Sequence, residues 1–229
     1  MVKQDTVNRQ ELFNRIAPVY DSLNQWLSLG QHHIWKMMAV KWSEPKVGNI
    51  ALDICCGSGD LTMILAQKVG SNGKVYGLDF SVEQLAVAKE KYPDGIIEWI
   101  EGDALELPFS DESFDCVTMG YGLRNLRDIP TAFEQVHRVL KSRAKAAILD
   151  FHRPYDPLFG FFQDAYLNSL VVPIAQLYGY REEYAYISQS LQNFPQGDEQ
   201  VKLAYQAGFS HAIHYPIAQG MMGVLVLTK

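Results

Sequence analysis

Ala51-Leu52-Asp53-Ile54 reads as a short buried strand, Gly57-Ser58-Gly59 as a turn without bulk at two positions, and Asp60-Leu61-Thr62-Met63-Ile64-Leu65-Ala66 as the start of a helix. A strand that turns this tightly into a helix is the first unit of a nucleotide-binding α/β sheet. Its glycines let a ligand approach the backbone, and the free N–H groups of the first helical turn offer donors.

A dinucleotide fingerprint requires a third glycine at position 62, where this chain has Thr62, so a pyrophosphate is disfavoured. The acid at the strand end, Asp53, points instead to a ligand with a positive pole, such as the ammonium group of S-adenosylmethionine. A tight turn with no ligand is the alternative for this stretch taken alone.

The alternation continues along the chain. Lys74 to Leu78 is a second predicted strand ending in Asp79, placed where a carboxylate would bind ribose hydroxyls, with Ser81 able to cap the helix Val82 to Lys91. Ile96 to Ile100 is a third strand followed by Asp103 and Ala104, and Asp103 offers an acceptor for an adenine amino group. Phe114 to Met119 is a fourth strand, running into Gly120-Tyr121-Gly122-Leu123-Arg124-Asn125, where Arg124 and Asn125 are candidate substrate contacts. The helix Pro130 to Leu140, a turn at Lys141-Ser142-Arg143 and a fifth strand from Ala144 to Phe151 follow, with Asp150 and His152 at its end. The helix Asp198 to Ala207 and the strands His211 to Ile217 and Val224 to Thr228 close the chain, the last strand antiparallel to the one before. Three acids at the ends of three successive strands are more informative than any one of them.

Two regions break this rhythm. Residues 8–42 read as a helical arm broken or kinked at Pro18, and residues 155–197 carry an aromatic stripe at helical spacing, including Phe159, Phe162, Tyr166 and Leu170. The stripe reads as core or as a substrate lid or lipid-contacting face.

Composition narrows the partners. At 229 residues and 48% hydrophobic the chain can build one domain, and a formal charge of −6 with no basic run argues against nucleic acid. The three cysteines lack metal-ligand spacing, so no metal is expected and they read as reduced. The opening residues carry no secretory signal pattern, and the apolar stretch Leu158 to Tyr178 is too interrupted by polar residues to read as a transmembrane helix.

Taken together, the chain resembles a class I S-adenosylmethionine-dependent methyltransferase, and more closely the family that C-methylates ubiquinone and menaquinone precursors. The resemblance rests on three blocks: Tyr20-Asp21, Asn24, Ser28, His32 and Trp35; Phe114 to Thr118 running into Gly122-Leu123-Arg124-Asn125; and Arg138-Val139-Leu140-Lys141. Ser142-Arg143-Ala144 replaces a proline-glycine-glycine turn, and Gly120 stands where serine is usual. The Leu149-Asp150-Phe151-His152 wording looks more like the cyanobacterial and plastid branch that methylates 2-phytyl-1,4-naphthoquinone.

The resemblance implies a Rossmann-like seven-stranded sheet with an antiparallel last strand, an N-terminal helical arm and a helical insertion before strand six. As one methyltransferase domain over 1–229, it divides into an arm (1–43), a cofactor-binding core (44–154), a substrate cap (155–197) and a C-terminal helix and hairpin (198–229). It implies S-adenosylmethionine as cofactor and S-adenosylhomocysteine as product, held by Asp53, Gly57, Ser58, Gly59, Asp79, Asp103, Ala104 and the backbone of Gly120.

The implied substrate is a lipophilic prenylated naphthoquinol, demethylphylloquinol first, with other menaquinone, ubiquinone or plastoquinone-type quinols, or a scaffold without catalysis, as alternatives. Arg124 is expected to stabilise the phenolate through water and Asn125 to orient the ring, with His152 and Tyr20 as candidate proton acceptors. A cytoplasmic location, or one peripheral to a thylakoid membrane, is expected, and the oligomeric state is open between monomer and homodimer.

Overall fold

The computed structural model describes residues 11, 14, 15, 30–93, 95–177 and 179–229, without the side chains of 182–185. Among them, seven strands form one sheet in the order β3-β2-β1-β4-β5-β7-β6. These are β1 (Ile50–Ile54), β2 (Lys74–Asp79), β3 (Ile97–Glu101), β4 (Phe114–Gly120), β5 (Leu140–Phe151), β6 (His211–Ile217) and β7 (Met222–Thr228). The first five are parallel and β7 runs antiparallel to both of its neighbours, as expected. Between β1 and β4 the connections leave the sheet in opposite directions, opening a crevice at the carboxyl ends of these strands.

Pleat alternation divides the core into two layers. Leu52, Val117, Met119 and Ile148 face the helix α4 (Ile129–Val139), which buries Phe133 and Val136. Ala51, Cys116, Ala147 and Leu149 face α1 (Gln31–Trp42) and α2 (Asp60–Val69), which bury Ala39, Val40, Leu61 and Leu65. Phe133 is fully buried, and truncating such a side chain to alanine costs about 3–5 kcal/mol. Local caps fix the helix starts. Ser81 Oγ accepts from Gln84 N at the head of α3 (Val82–Lys91), and Asp128 accepts from Thr131 N at the head of α4, where Pro130 occupies the first turn.

The expected turn at 141–143 is instead part of β5. Arg143 takes φ +64 there, and its N–H donates to the Lys229 carbonyl at 3.1 Å, so pairing with the C-terminus holds the strand through a conformation usually left to glycine. The insertion consists of α5 (Pro157–Tyr166), a π-helical turn (Leu167–Val171), α6 (Val172–Leu177) and α7 (Arg181–Gln192), ahead of α8 (Gly197–Gln206). One face packs Leu167, Val171 and Ala175 against Leu191, while Leu158, Phe161, Phe162, Tyr166, Leu170 and Leu177 are exposed. Pro157–Leu177 reaches the length and mean apolarity at which a helix can cross a membrane, yet Leu167, Val171 and Ala175 pack it against Leu191 of its own chain.

Candidate active site

A cavity of about 440 Å³ opens at the carboxyl edge of the sheet. Its floor is the turn after β1. Cys55 and Gly57 there take left-handed backbone conformations, with φ +55 and +54, and Gly57 N donates to Asp79 Oδ2 at 2.8 Å. A Cβ on Gly122 would lie 2.6 Å from Cys55 Cβ, so the loop after β4 closes on the turn only because position 122 has no side chain.

The second wall comes from the ends of β2 and β3. Asp79 accepts Gly57 N and Ser81 N, the latter at 2.9 Å, and lines the cavity. Burial pushes its carboxyl up to about 6, against the lowering effect of these backbone N–H groups. Asp103 also lines the cavity. Its Oδ1 accepts Leu105 N at 2.9 Å and its Oδ2 accepts Arg127 Nη2 at 3.3 Å.

At the opposite end, Lys36 reaches in from α1 to Asp60 at 2.7 Å, and Lys91 binds the other oxygen at 2.9 Å. Burial alone would raise the Asp60 pKa, but Lys36 and Lys91 together hold it down at about 2. Each end of the cavity therefore carries an ion pair, Lys36 with Asp60 beside the glycine turn and Arg127 with Asp103 at the other wall.

Of the residues expected at the site, Gly57, Ser58, Asp79, Asp103, Ala104, Gly120 and Asn125 line this cavity. Gly59 lies just behind it as the N-cap of α2, at φ +89, where a Cβ would come within 2.5 Å of the Trp99 ring. Tyr20 lies outside the described residues, as do Asp21, Asn24 and Ser28.

Three expectations need correction. Asp53 does not reach the cavity: it is fully buried on the α2 side of the sheet, with its oxygens accepting Thr62 Oγ1 at 2.6 Å and Thr118 Oγ1 at 2.8 Å. Strand alternation turns it inward, and burial raises its carboxyl to about 7.

Arg124 is likewise behind the wall. Its Nη1 donates to Asp150 Oδ1 at 2.6 Å and to the Tyr121 carbonyl at 3.0 Å, and its main-chain N–H donates to Asp150 Oδ2. Asn125 Nδ2 donates to the same Tyr121 carbonyl at 2.9 Å. Arg124 thus fixes the loop that presents Asn125, and its buried Nε has no hydrogen-bond partner.

His152 faces away from the cavity and meets His214 across the hairpin, Nε2 to Nε2, at 3.1 Å. Burial, then the neighbouring His214 and Arg153, lower its pKa to about 3, and its carbonyl accepts Gln163 Nε2 from the insertion. It joins β5, β6 and α5, which is a structural task.

Sequence reasoning passed over Lys36, Gln84 and the paired cysteines as lining residues. Cys55 and Cys56 read only as reduced cysteines without metal-ligand spacing, and both line the cavity with thiols pushed up by burial and nearby acids. Gln84 offered a usable signal: an amide in the first turn of the helix that follows Asp79. Among the described residues, no group of three His, Cys, Asp or Glu side chains is placed to hold a metal.

A family model for the ubiE/COQ5 methyltransferase family matches residues 1–229. The chain is 63% identical over 224 residues, 96% of its length and 97% of the relative's, to a protein of Nostoc punctiforme named 2-phytyl-1,4-naphtoquinone methyltransferase. It is 53% identical over 227 residues, covering 96% of this chain and 87% of the relative, to the Arabidopsis thaliana protein named 2-phytyl-1,4-beta-naphthoquinone methyltransferase, chloroplastic. Among solved structures, a Thermotoga maritima SAM-dependent methyltransferase described as a possible histamine N-methyltransferase aligns with a TM-score of 0.67 at 18% identity, over 96% of this chain and 99% of that one. Haemonchus contortus phosphoethanolamine N-methyltransferase 2, in complex with S-adenosyl-L-methionine, aligns with a TM-score of 0.64 at 18% identity, over 85% and 52%. At these identities the two structures speak for the fold, a class I SAM-dependent methyltransferase.

Proposed function

Because the chain belongs to the ubiE/COQ5 methyltransferase family, we propose that it moves the methyl group of S-adenosylmethionine to a ring carbon of demethylphylloquinol, giving phylloquinol and S-adenosylhomocysteine. The observation that carries the substrate is the 63% identity, over nearly the whole of both chains, to a relative named for 2-phytyl-1,4-naphthoquinone.

Three features of the cavity fit the cofactor. It has an orphaned buried acceptor at Gln84, backbone left uncovered by the missing side chain of Gly57, and the buried carboxylate of Asp79 on its wall. Asp79 would take the ribose, Asp103 with Ala104 the adenine side, and Lys36 with Gly57 and Ser58 the methionine end. Bound there, the cofactor supplies an electrophilic methyl group on a positively charged sulfur.

The chain's own residues then have two tasks. Asn125 and Gly120 align the ring with that methyl group, and alignment supplies much of the rate. Arg124, held by Asp150 and the Tyr121 carbonyl, fixes the loop that presents Asn125, and a phenol starts near pKa 10, so the phenolate that makes the ring carbon nucleophilic needs hydrogen-bonding help from that loop at neutral pH. A quinone has no such electron pair to push, so the reduced substrate is the one methylated. Tyr20 remains a candidate proton acceptor, whereas the His152 geometry directs it to packing.

The exposed stripe of α5 and α6 suits a lipophilic substrate. Phe161 is 67% and Phe162 55% exposed, and an apolar helical face of this kind binds at a membrane interface. This supports peripheral contact with a membrane that holds the phytyl tail, without electrostatic help from a chain of charge −6. In cells lacking the protein, mass spectrometry of lipid quinones should find demethylphylloquinone accumulating. Accumulation of a different demethyl quinone would reassign the substrate.

A further inference from the structure

Gln84 is a polar residue on the buried face of α3, where its neighbours Leu85 and Ala88 are apolar. Its side chain lines the cavity, the residue is 2% exposed, and its Oε1 accepts no hydrogen bond. Capping does not explain it, since Ser81 Oγ already serves the Gln84 main-chain N–H at 3.2 Å. A buried acceptor without a donor is costly to the fold, so a donor supplied by a ligand is the natural complement.

The location identifies that donor. Gly57 donates its N–H to Asp79, and a Cβ built on the same glycine would lie 3.8 Å from Gln84 Oε1, so both acceptors border the same glycine of the turn. Both oxygens of Asp79 already carry a backbone N–H. The Phe80 main chain adds a third hydrogen bond to this carboxylate, so of its roughly four acceptor sites about one is left for a ribose diol that brings two O–H donors. A neutral amide adds an acceptor beside a buried acid without adding a second negative charge.

We propose that Gln84 Oε1 accepts a hydrogen bond from a ribose hydroxyl of the cofactor and shares recognition of the diol with Asp79. The inference rests on the cofactor reading above.

Calorimetry on the full chain tests it with three probes: S-adenosylhomocysteine and its 2′-deoxy and 3′-deoxy analogues. The wild type should lose roughly tenfold in affinity when the recognised hydroxyl is removed, as expected for one hydrogen bond. Gln84→Met should bind S-adenosylhomocysteine about tenfold more weakly and show no further loss for the same deoxy analogue. Gln84→Glu, which keeps an acceptor oxygen, should keep the discrimination.

Wild-type affinity in Gln84→Met, or an equal loss for all three probes, would overturn the assignment while leaving the cofactor reading intact. Failure of the wild type to bind S-adenosylhomocysteine would remove both. If circular dichroism shows Gln84→Met to be unfolded, Gln84→Asn, which withdraws the oxygen by one methylene, carries the same expectations.

Discussion

The cavity edge of the sheet and the α5–α6 insertion are both built largely from apolar sequence, yet they use it in opposite ways. At the edge each group is constrained by another: Gly122 by Cys55, Gly57 by Asp79. On the insertion one face is packed against Leu191 and the other presents Leu158, Phe161, Phe162 and Leu170 to the surroundings. The edge is specified by the chain's own contacts, whereas the outer face of the insertion takes its meaning from what it meets.

The same substitution should therefore have opposite signs in the two regions. Gly122→Ala drives a Cβ to 2.6 Å from Cys55 Cβ, an atom attached to backbone that cannot swing aside. Overpacking of this kind costs about 1–3 kcal/mol of stability, and because the turn is the cavity floor, S-adenosylhomocysteine affinity should fall with it. Gly160, inside α5, has nothing within 4 Å of the place a β-carbon would take, so Gly160→Ala should raise stability by about 0.5–1 kcal/mol. Thermal melts and calorimetry on the two variants read this directly, and matching signs would break the comparison.

A second pair of variants sharpens it. Arg124→Ala leaves Asp150, 1% exposed, without its charge partner, and such a loss costs about 3–5 kcal/mol. Phe161→Glu combined with Phe162→Glu changes exposed residues and should alter stability by no more than about 0.5 kcal/mol per site. Flotation with neutral vesicles should nevertheless lose the double variant and retain the wild type. Equal flotation would dismiss the stripe as a membrane contact.

These contrasts explain what was legible in the sequence. The strand-turn-helix at 51–60 and the acids after β2 and β3 carry local rules of turn chemistry and period, so the sheet, its last antiparallel strand, and the position of Asp79 and Asp103 at the cavity wall could be read. Asp53 was misplaced because a single residue of strand alternation decides between the edge and the interior, and Thr62 and Thr118, which hold it, are distant in sequence or hidden in a helix. Arg124 looked like a substrate contact because its partner Asp150 lies on another strand. The β5 extension through Arg143 depends on pairing with Lys229 at the far end of the chain, which no local pattern signals.

The buried Asp53, in the interior beneath that edge, gives the core a pH signature. Its carboxyl is raised from 3.8 to about 7 in the fold. The proton it retains stabilises the folded state fully below the unfolded pKa, and that contribution is lost as pH rises through about 7. Asp53→Asn removes the dependence, so wild type minus variant stability should decline between about pH 4 and pH 7. His152, lowered to about 3, acts in the other direction but cancels in this difference. A flat difference would show that Asp53 is not buried as an acid.

The most direct measurement of the central claim is methyl transfer by the purified protein from S-adenosylmethionine to 2-phytyl-1,4-naphthoquinone, reduced and oxidised in parallel, with products read by mass spectrometry. The account predicts phylloquinone, recovered after reoxidation, from the reduced substrate and essentially none from the oxidised one. Equal turnover of the oxidised quinone, or no turnover of either, would contradict it.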